Sequence, residues 1–162
     1  MNINYMAATI LITFSVLLLV VFVKKNLIRR ALVAFFVAQF ITWPATLLYV
    51  YWGFQTVPFR LFPHATDSNF LYSFIFQPAV FTTYYLYYPR RSRLIIRILY
   101  SVSLPGFVYC THLIVNRYTD LVHLTGKFPY IGSIIYALSS YYLSRKYIDW
   151  FFKKSFNNKE AL

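Results

Sequence analysis

The chain has 162 residues, 59% apolar, 22% aromatic and 12% charged, with sixteen Lys and Arg against four Asp and Glu. Soluble domains carry about a quarter charged residues, so this composition excludes a disordered chain and argues against an ordinary soluble domain. A net charge of +12 beside a mean hydropathy of +0.53 is unlike the dispersed basicity of a nucleic-acid binder, and a single Cys excludes an internal disulfide framework or a multi-cysteine zinc site.

Residues 5–23 carry no charge and are long enough to cross about 30 Å of hydrocarbon at about 1.5 Å per residue. The basic cluster Lys24, Lys25, Arg29 and Arg30 follows this run, so it reads as a span and not as a cleaved leader. Comparable runs follow at 31–52, 70–88, 94–116 (interrupted by Arg97) and 128–152, where Arg145 and Lys146 are expected to snorkel towards the headgroups. None shows period-2 alternation. The expected fold is therefore an all-α membrane protein, one domain over 1–162, built as a bundle of five transmembrane helices.

Thirteen of the sixteen basic residues fall at the carboxyl ends of the first, third and fifth spans or in the segments that follow, extending to Arg97 in the fourth; the others are Arg60, Arg117 and Lys127. This asymmetry predicts the N-terminus outside and the C-terminus in the cytoplasm of a multi-pass cell-membrane protein. It accounts for the basicity without nucleic acid. The resulting cytoplasmic rim is expected to attract anionic lipid at about 1 kcal/mol per suitably placed residue. Tyr49, Tyr51 and Trp52, then Tyr84, Tyr85, Tyr87 and Tyr88, then Tyr147 and Trp150 close spans and are expected to form aromatic belts at the water boundary.

Polar residues inside the runs fall at helical spacing: Gln39, Thr42 and Thr46; Ser73 and Gln77; Ser101, Pro105, Val108, His112 and Asn116; Ser133, Tyr136 and Ser140. Such stripes face the bundle interior, either to hydrogen-bond between helices or to line a polar cavity. For the cavity, Gln39, Gln77, His112 and Asn116 are the candidate ligand contacts, with Asn116 also placed to hydrogen-bond His112. The first span is almost uniformly aliphatic and is expected at the periphery. Pro44, Pro78 and Pro105 interrupt three spans and are expected to kink them, which would open a cleft towards the outside.

Two external loops each carry a His and an Asp three residues apart: His64 with Asp67, and Asp120 with His123. If the loops meet, these four form a candidate metal site. Otherwise the sequence argues against an enzyme and predicts no cofactor. None of the uncharged runs holds a carboxylate (Asp149 lies in the charged end of the fifth span, beyond Ser144), no Gly-rich phosphate loop exists, and only His112 is placed to ligate a haem within the bundle.

The stretch Trp52-Gly53, then Val57-Pro58-Phe59-Arg60-Leu61-Phe62-Pro63, continuing to Tyr88-Pro89-Arg90-Arg91 and resuming at Phe128-Pro129-Tyr130-Ile131, resembles an uncharacterised family of small multi-spanning integral membrane proteins from spore-forming Gram-positive bacteria. The resemblance covers roughly residues 30–150. It implies a five-helix protein of the bacterial cytoplasmic membrane, involved in envelope or sporulation physiology, and supplies no activity. Where the family carries a Glu in the fourth span, this chain has Thr111-His112. Three functions follow as expectations. The first is a non-enzymatic module that assembles with lipid, a membrane partner or a second copy of itself. The second is a small carrier or ligand-binding protein using the polar seam. The third is a metal-dependent enzyme with an outer-face His/Asp site.

Overall fold

The computed structural model describes residues 3–60, 64 and 68–160, with side chains through Lys153. It is 79% helical and contains five α-helices. They are α1 (Ile3–Phe22), α2 (Ile28–Tyr51), α3 (Gln77–Leu86), α4 (Leu94–Tyr118) and α5 (Phe128–Glu160). A 3-10 turn, Lys25–Leu27, joins α1 to α2, and a π-helical segment, Leu71–Phe76, leads into α3. Three stretches, Ile3–Phe22, Lys25–Tyr51 and Leu94–Tyr118, are long and apolar enough to cross a membrane.

The third helix is the axis of the bundle. Every residue from Pro78 to Tyr85 is buried; α1, α2 and α4 pack against it, and α5 reaches it through Tyr141, Arg145 and Asp149. A helix buried on all sides has no exposed face to keep apolar, which lets it be short and rich in hydroxyls. α1 touches the axis through the stripe Asn4, Ala8, Leu11 and Ser15 and leaves its other faces exposed, as its uniform aliphatic composition suggested.

Proline explains the break before α3. Pro78 has no N–H to return to the carbonyls one turn earlier, and the backbone widens there to i→i+5 bonding, with Gln77 N–H donating to the Tyr72 carbonyl. The freed carbonyls find donors on α2. Thr42 Oγ1 donates to Ser73 O at 2.8 Å and Gln39 Nε2 to Phe74 O at 3.0 Å. The Thr46 hydroxyl lies 2.9 Å from that of Ser73. Pro44 and Pro105, by contrast, sit inside helices that continue through them.

The two loops at one end of the bundle do meet. Strand β1 (Gln55–Thr56) pairs antiparallel with β2 (His123–Leu124), and Phe59 N–H donates to the Asp120 carbonyl. Asn69 caps the third helix by accepting from Tyr72 N–H at 3.1 Å, while its amide donates to the Leu121 carbonyl at 2.9 Å. Asn4 ties α1 to the same cap through both the carboxylate and the backbone N–H of Asp120. A small sheet is thus laid across the end of the bundle at which the prolines were expected to open a cleft.

At the opposite end the tyrosines depart from the belt expectation. Tyr84 is 1% exposed, and Tyr85 and Tyr88 are also buried, whereas Tyr87 is 41% exposed. Tyr84 packs against Phe81, Tyr88, Tyr100 and Tyr141 with ring centroids 5.0–5.8 Å apart. Because α3 is central, its aromatic end is core and not boundary. Tyr51, Trp52, Tyr147 and Trp150 are exposed, as a belt requires.

Candidate functional site

A cavity of about 40 Å³ lies between α2, the π segment with α3, α4 and α5, with Gln55 of β1 in its wall. By the usual measure a buried water needs about 10–15 Å³ of such space, so the cavity holds two or three waters or a solute of few non-hydrogen atoms. Each wall is the polar stripe of one helix. Thr42, Thr46 and Tyr49 come from α2, Ser73 and Gln77 from the third helix, His112 from α4, and Ser133, Tyr136, Ser140 and Tyr141 from α5.

The groups that build the wall differ in their hydrogen bonds from those that remain available. The Tyr72 hydroxyl gives its proton to the Val108 carbonyl at 2.7 Å, Ser133 to the Pro129 carbonyl at 2.7 Å and Ser140 to the Ala137 carbonyl at 3.0 Å. Four buried side-chain polar atoms find no hydrogen-bond partner among the described residues: Gln77 Oε1, His112 Nε2, Tyr141 Oη and Arg97 Nε. The first three belong to residues that line this one cavity. A buried group left unpaired costs about 1–3 kcal/mol, so three around a single space is a concentrated sacrifice of stability. The site presents an amide acceptor, a phenol donor and an imidazole nitrogen that serves as either, depending on its tautomer. No Asp, Glu, Lys or Arg is among its described lining residues.

The four candidate ligand contacts from the sequence divide evenly. Gln77 and His112 line the cavity with unpaired atoms. Gln39 is spent on the Phe74 carbonyl, as described. Asn116 is spent as well, donating to Tyr130 Oη at 3.1 Å and accepting from Leu124 N–H at 2.7 Å. Asn116 therefore does not pair with His112, whose ring instead meets Tyr72 edge-on at 5.3 Å. Tyr141 was not among the candidates. Its position four residues after Ala137 and eight after Ser133 puts it on the polar stripe of α5, a spacing that would have found it.

Of the metal candidates, Asp120 and His123 are 3.3 Å apart and form an ion pair when the imidazole is protonated. The other Asp120 oxygen accepts from Asn4 Nδ2 at 3.0 Å, and these two contacts, the amide first, hold the Asp120 carboxyl below its ordinary range. His64 is exposed, and Asp67 lies outside the described residues. Among the described residues no group of three or more His, Cys, Asp or Glu is placed to hold a metal ion.

Gly132 shows how closely α2 and α5 approach beside the cavity. A Cβ added there would lie 2.6 Å from Tyr49 Oη, so a larger residue would require the Tyr49 side chain to shift. No protein-family model matches the chain, and no curated protein or solved structure is significantly similar to it.

Proposed function

We propose that the chain is a non-enzymatic integral membrane protein of five spans, amino end outside and carboxyl end cytoplasmic, whose cavity carries a small uncharged polar solute. The spanning part is supported by the three long apolar helices and by the uneven distribution of Lys and Arg. For the other two helices the support is indirect. α3 is screened from lipid by its neighbours, and α5, at about 1.5 Å per residue over its 33 residues, exceeds the hydrocarbon thickness.

One observation carries the assignment of the cavity: Gln77, His112 and Tyr141 bring three partnerless polar atoms to one space. Groups that serve packing alone have their bonds closed within the protein, as Gln39, Thr42 and Thr46 do on Ser73 and Phe74. A solute that both donates and accepts would pair these atoms, and the uncharged lining would pass over ions, whose desolvation it does not offset.

The test is solute flux. Vesicles reconstituted with the full chain and challenged with a urea gradient should recover volume faster than protein-free vesicles in stopped-flow light scattering. His112→Phe and Gln77→Leu should return the rate to that of bare lipid while the protein stays folded. A wild-type rate equal to that of bare lipid for both urea and water would overturn the reading.

A further inference from the structure

The fourth partnerless atom, Arg97 Nε, belongs to a second site at the opposite end of the bundle. There a lateral groove of about 340 Å³ runs between α4 and α5, with Arg97 and Arg145 among its lining residues. Arg145 was expected to snorkel, yet it is only 8% exposed. Its guanidinium lies 3.9 Å over the Tyr88 ring and 5.6 Å from that of Tyr142, and Nη1 is 3.5 Å from the Tyr84 hydroxyl. Aromatic faces attract a cation but do not neutralise it.

Neither arginine pairs with a carboxylate among the described residues. Asp149, the described carboxylate at this end, is held by Arg90 at 2.8 Å and receives a hydrogen bond from Tyr85 Oη, while Asp120 is bound to Asn4 in the cap at the other end. Two guanidiniums in one groove, one of them buried, thus lack an anion, and burial of unpaired charge is strongly unfavourable. The remainder of the groove is mostly apolar, with Ser101 and the tyrosine hydroxyls beside the arginines. Leu94, Ile98 and Val102 of α4 are more than half exposed along it.

From this combination we infer that the groove is a binding site for an anionic glycerophospholipid. The phosphodiester lies between Arg97 and Arg145, and an acyl chain follows Leu94, Ile98 and Val102 along α4. Guanidinium groups match phosphate oxygens in a planar, two-pronged geometry, and the apolar strip continues the contact into the hydrocarbon. The groove sits at the end that also carries Arg90, Arg91, Arg93 and Lys146, where the asymmetry of charge places the anionic leaflet. This inference rests on the membrane-spanning part of the function proposed above and is independent of the cavity.

Native mass spectrometry of the delipidated full-length chain, with phosphatidylglycerol and phosphatidylcholine of identical acyl chains, tests it. The wild type should retain phosphatidylglycerol at least fivefold over phosphatidylcholine. Arg97→Gln, and Arg97→Gln with Arg145→Gln, should abolish that preference. The control pair Arg91→Gln with Arg93→Gln, which removes the same charge from exposed positions at the same end, should keep it. Arg97→Gln alone keeps the test decisive if loss of buried Arg145 unfolds the chain. Equal retention of the two lipids by the wild type, or equal loss in the control pair, would overturn the site. So would displacement of the lipid by millimolar inorganic phosphate, which would make the groove a site for the free anion. A chain that stays in water without detergent would instead remove the membrane reading itself.

Discussion

Gln39, Thr42 and Thr46 on α2, and Gln77 and His112 across the interface, belong to the same polar seam and read alike in the sequence. Their situations are opposite. The first three are committed to the π segment, where Pro78 has withdrawn a backbone donor and left carbonyls that α2 side chains must satisfy. Gln77 and His112 retain an unpaired oxygen and nitrogen beside a cavity. A polar side chain within a bundle is thus evidence of structure when its bonds close inside the protein, and of a site when they do not.

The largest effect that would sharpen this contrast is expected from Thr42→Val combined with Thr46→Val. It leaves the buried Ser73 carbonyl without its donor, which should destabilise the bundle by about 1–3 kcal/mol, read by thermal unfolding in detergent. Survival of the double variant at the wild-type midpoint would break the comparison from its structural side.

A smaller effect is expected from a double-mutant cycle between α2 and the π segment. Gln39→Leu should cost about 0.6–1.7 kcal/mol in the wild type and less in a Pro78→Ala background, where a restored N–H supplies the Phe74 carbonyl. Equal costs in both backgrounds would show that Gln39 answers to something other than the proline.

The reverse behaviour is expected at the cavity. His112→Phe and Gln77→Leu remove unpaired atoms, so the unfolding midpoint should stay level or rise even as urea flux is lost. A midpoint lowered as far as in the Thr42 and Thr46 variant would make His112 a packing residue like its neighbours on α2.

The smallest effect concerns the cap over the cavity. The Asp120 carboxyl is held below its ordinary range chiefly by the Asn4 amide and then by His123, so its contribution is present at neutral pH and is lost as pH falls through the lowered folded value. The stability difference between wild type and Asn4→Ala should accordingly shrink in acid, below about pH 4, when followed by thermal unfolding against pH. A difference that widens in acid would reverse the assigned sign.

Much of the architecture was legible along the chain. Uncharged runs marked helices, and the expected bounds fall within a few residues of the observed ones for α1, α2 and α4. The stripe of Ser101, Pro105, Val108 and His112 was readable because a helix repeats its face every three or four residues, and Pro105 and Val108 are buried as that stripe requires. Of the four tyrosines that end the third span only Tyr87 is exposed as a belt requires, because composition does not say which helix is the axis. Once α3 is central, Tyr84, Tyr85 and Tyr88 have nowhere to lie but in the core.

What the sequence determined by itself, then, is what depends on local chemistry: which segments are helical, which faces are polar, and where positive charge collects. Only the tertiary structure decided which polar atoms are already satisfied, because that depends on partners 30 or more residues away, as between Thr42 and Ser73 or Asn4 and Asp120. It also decided that the two loops pair and that Arg145 is buried against Tyr88. A side chain's identity sets how many hydrogen bonds it can make. The packing of distant segments sets how many it has left.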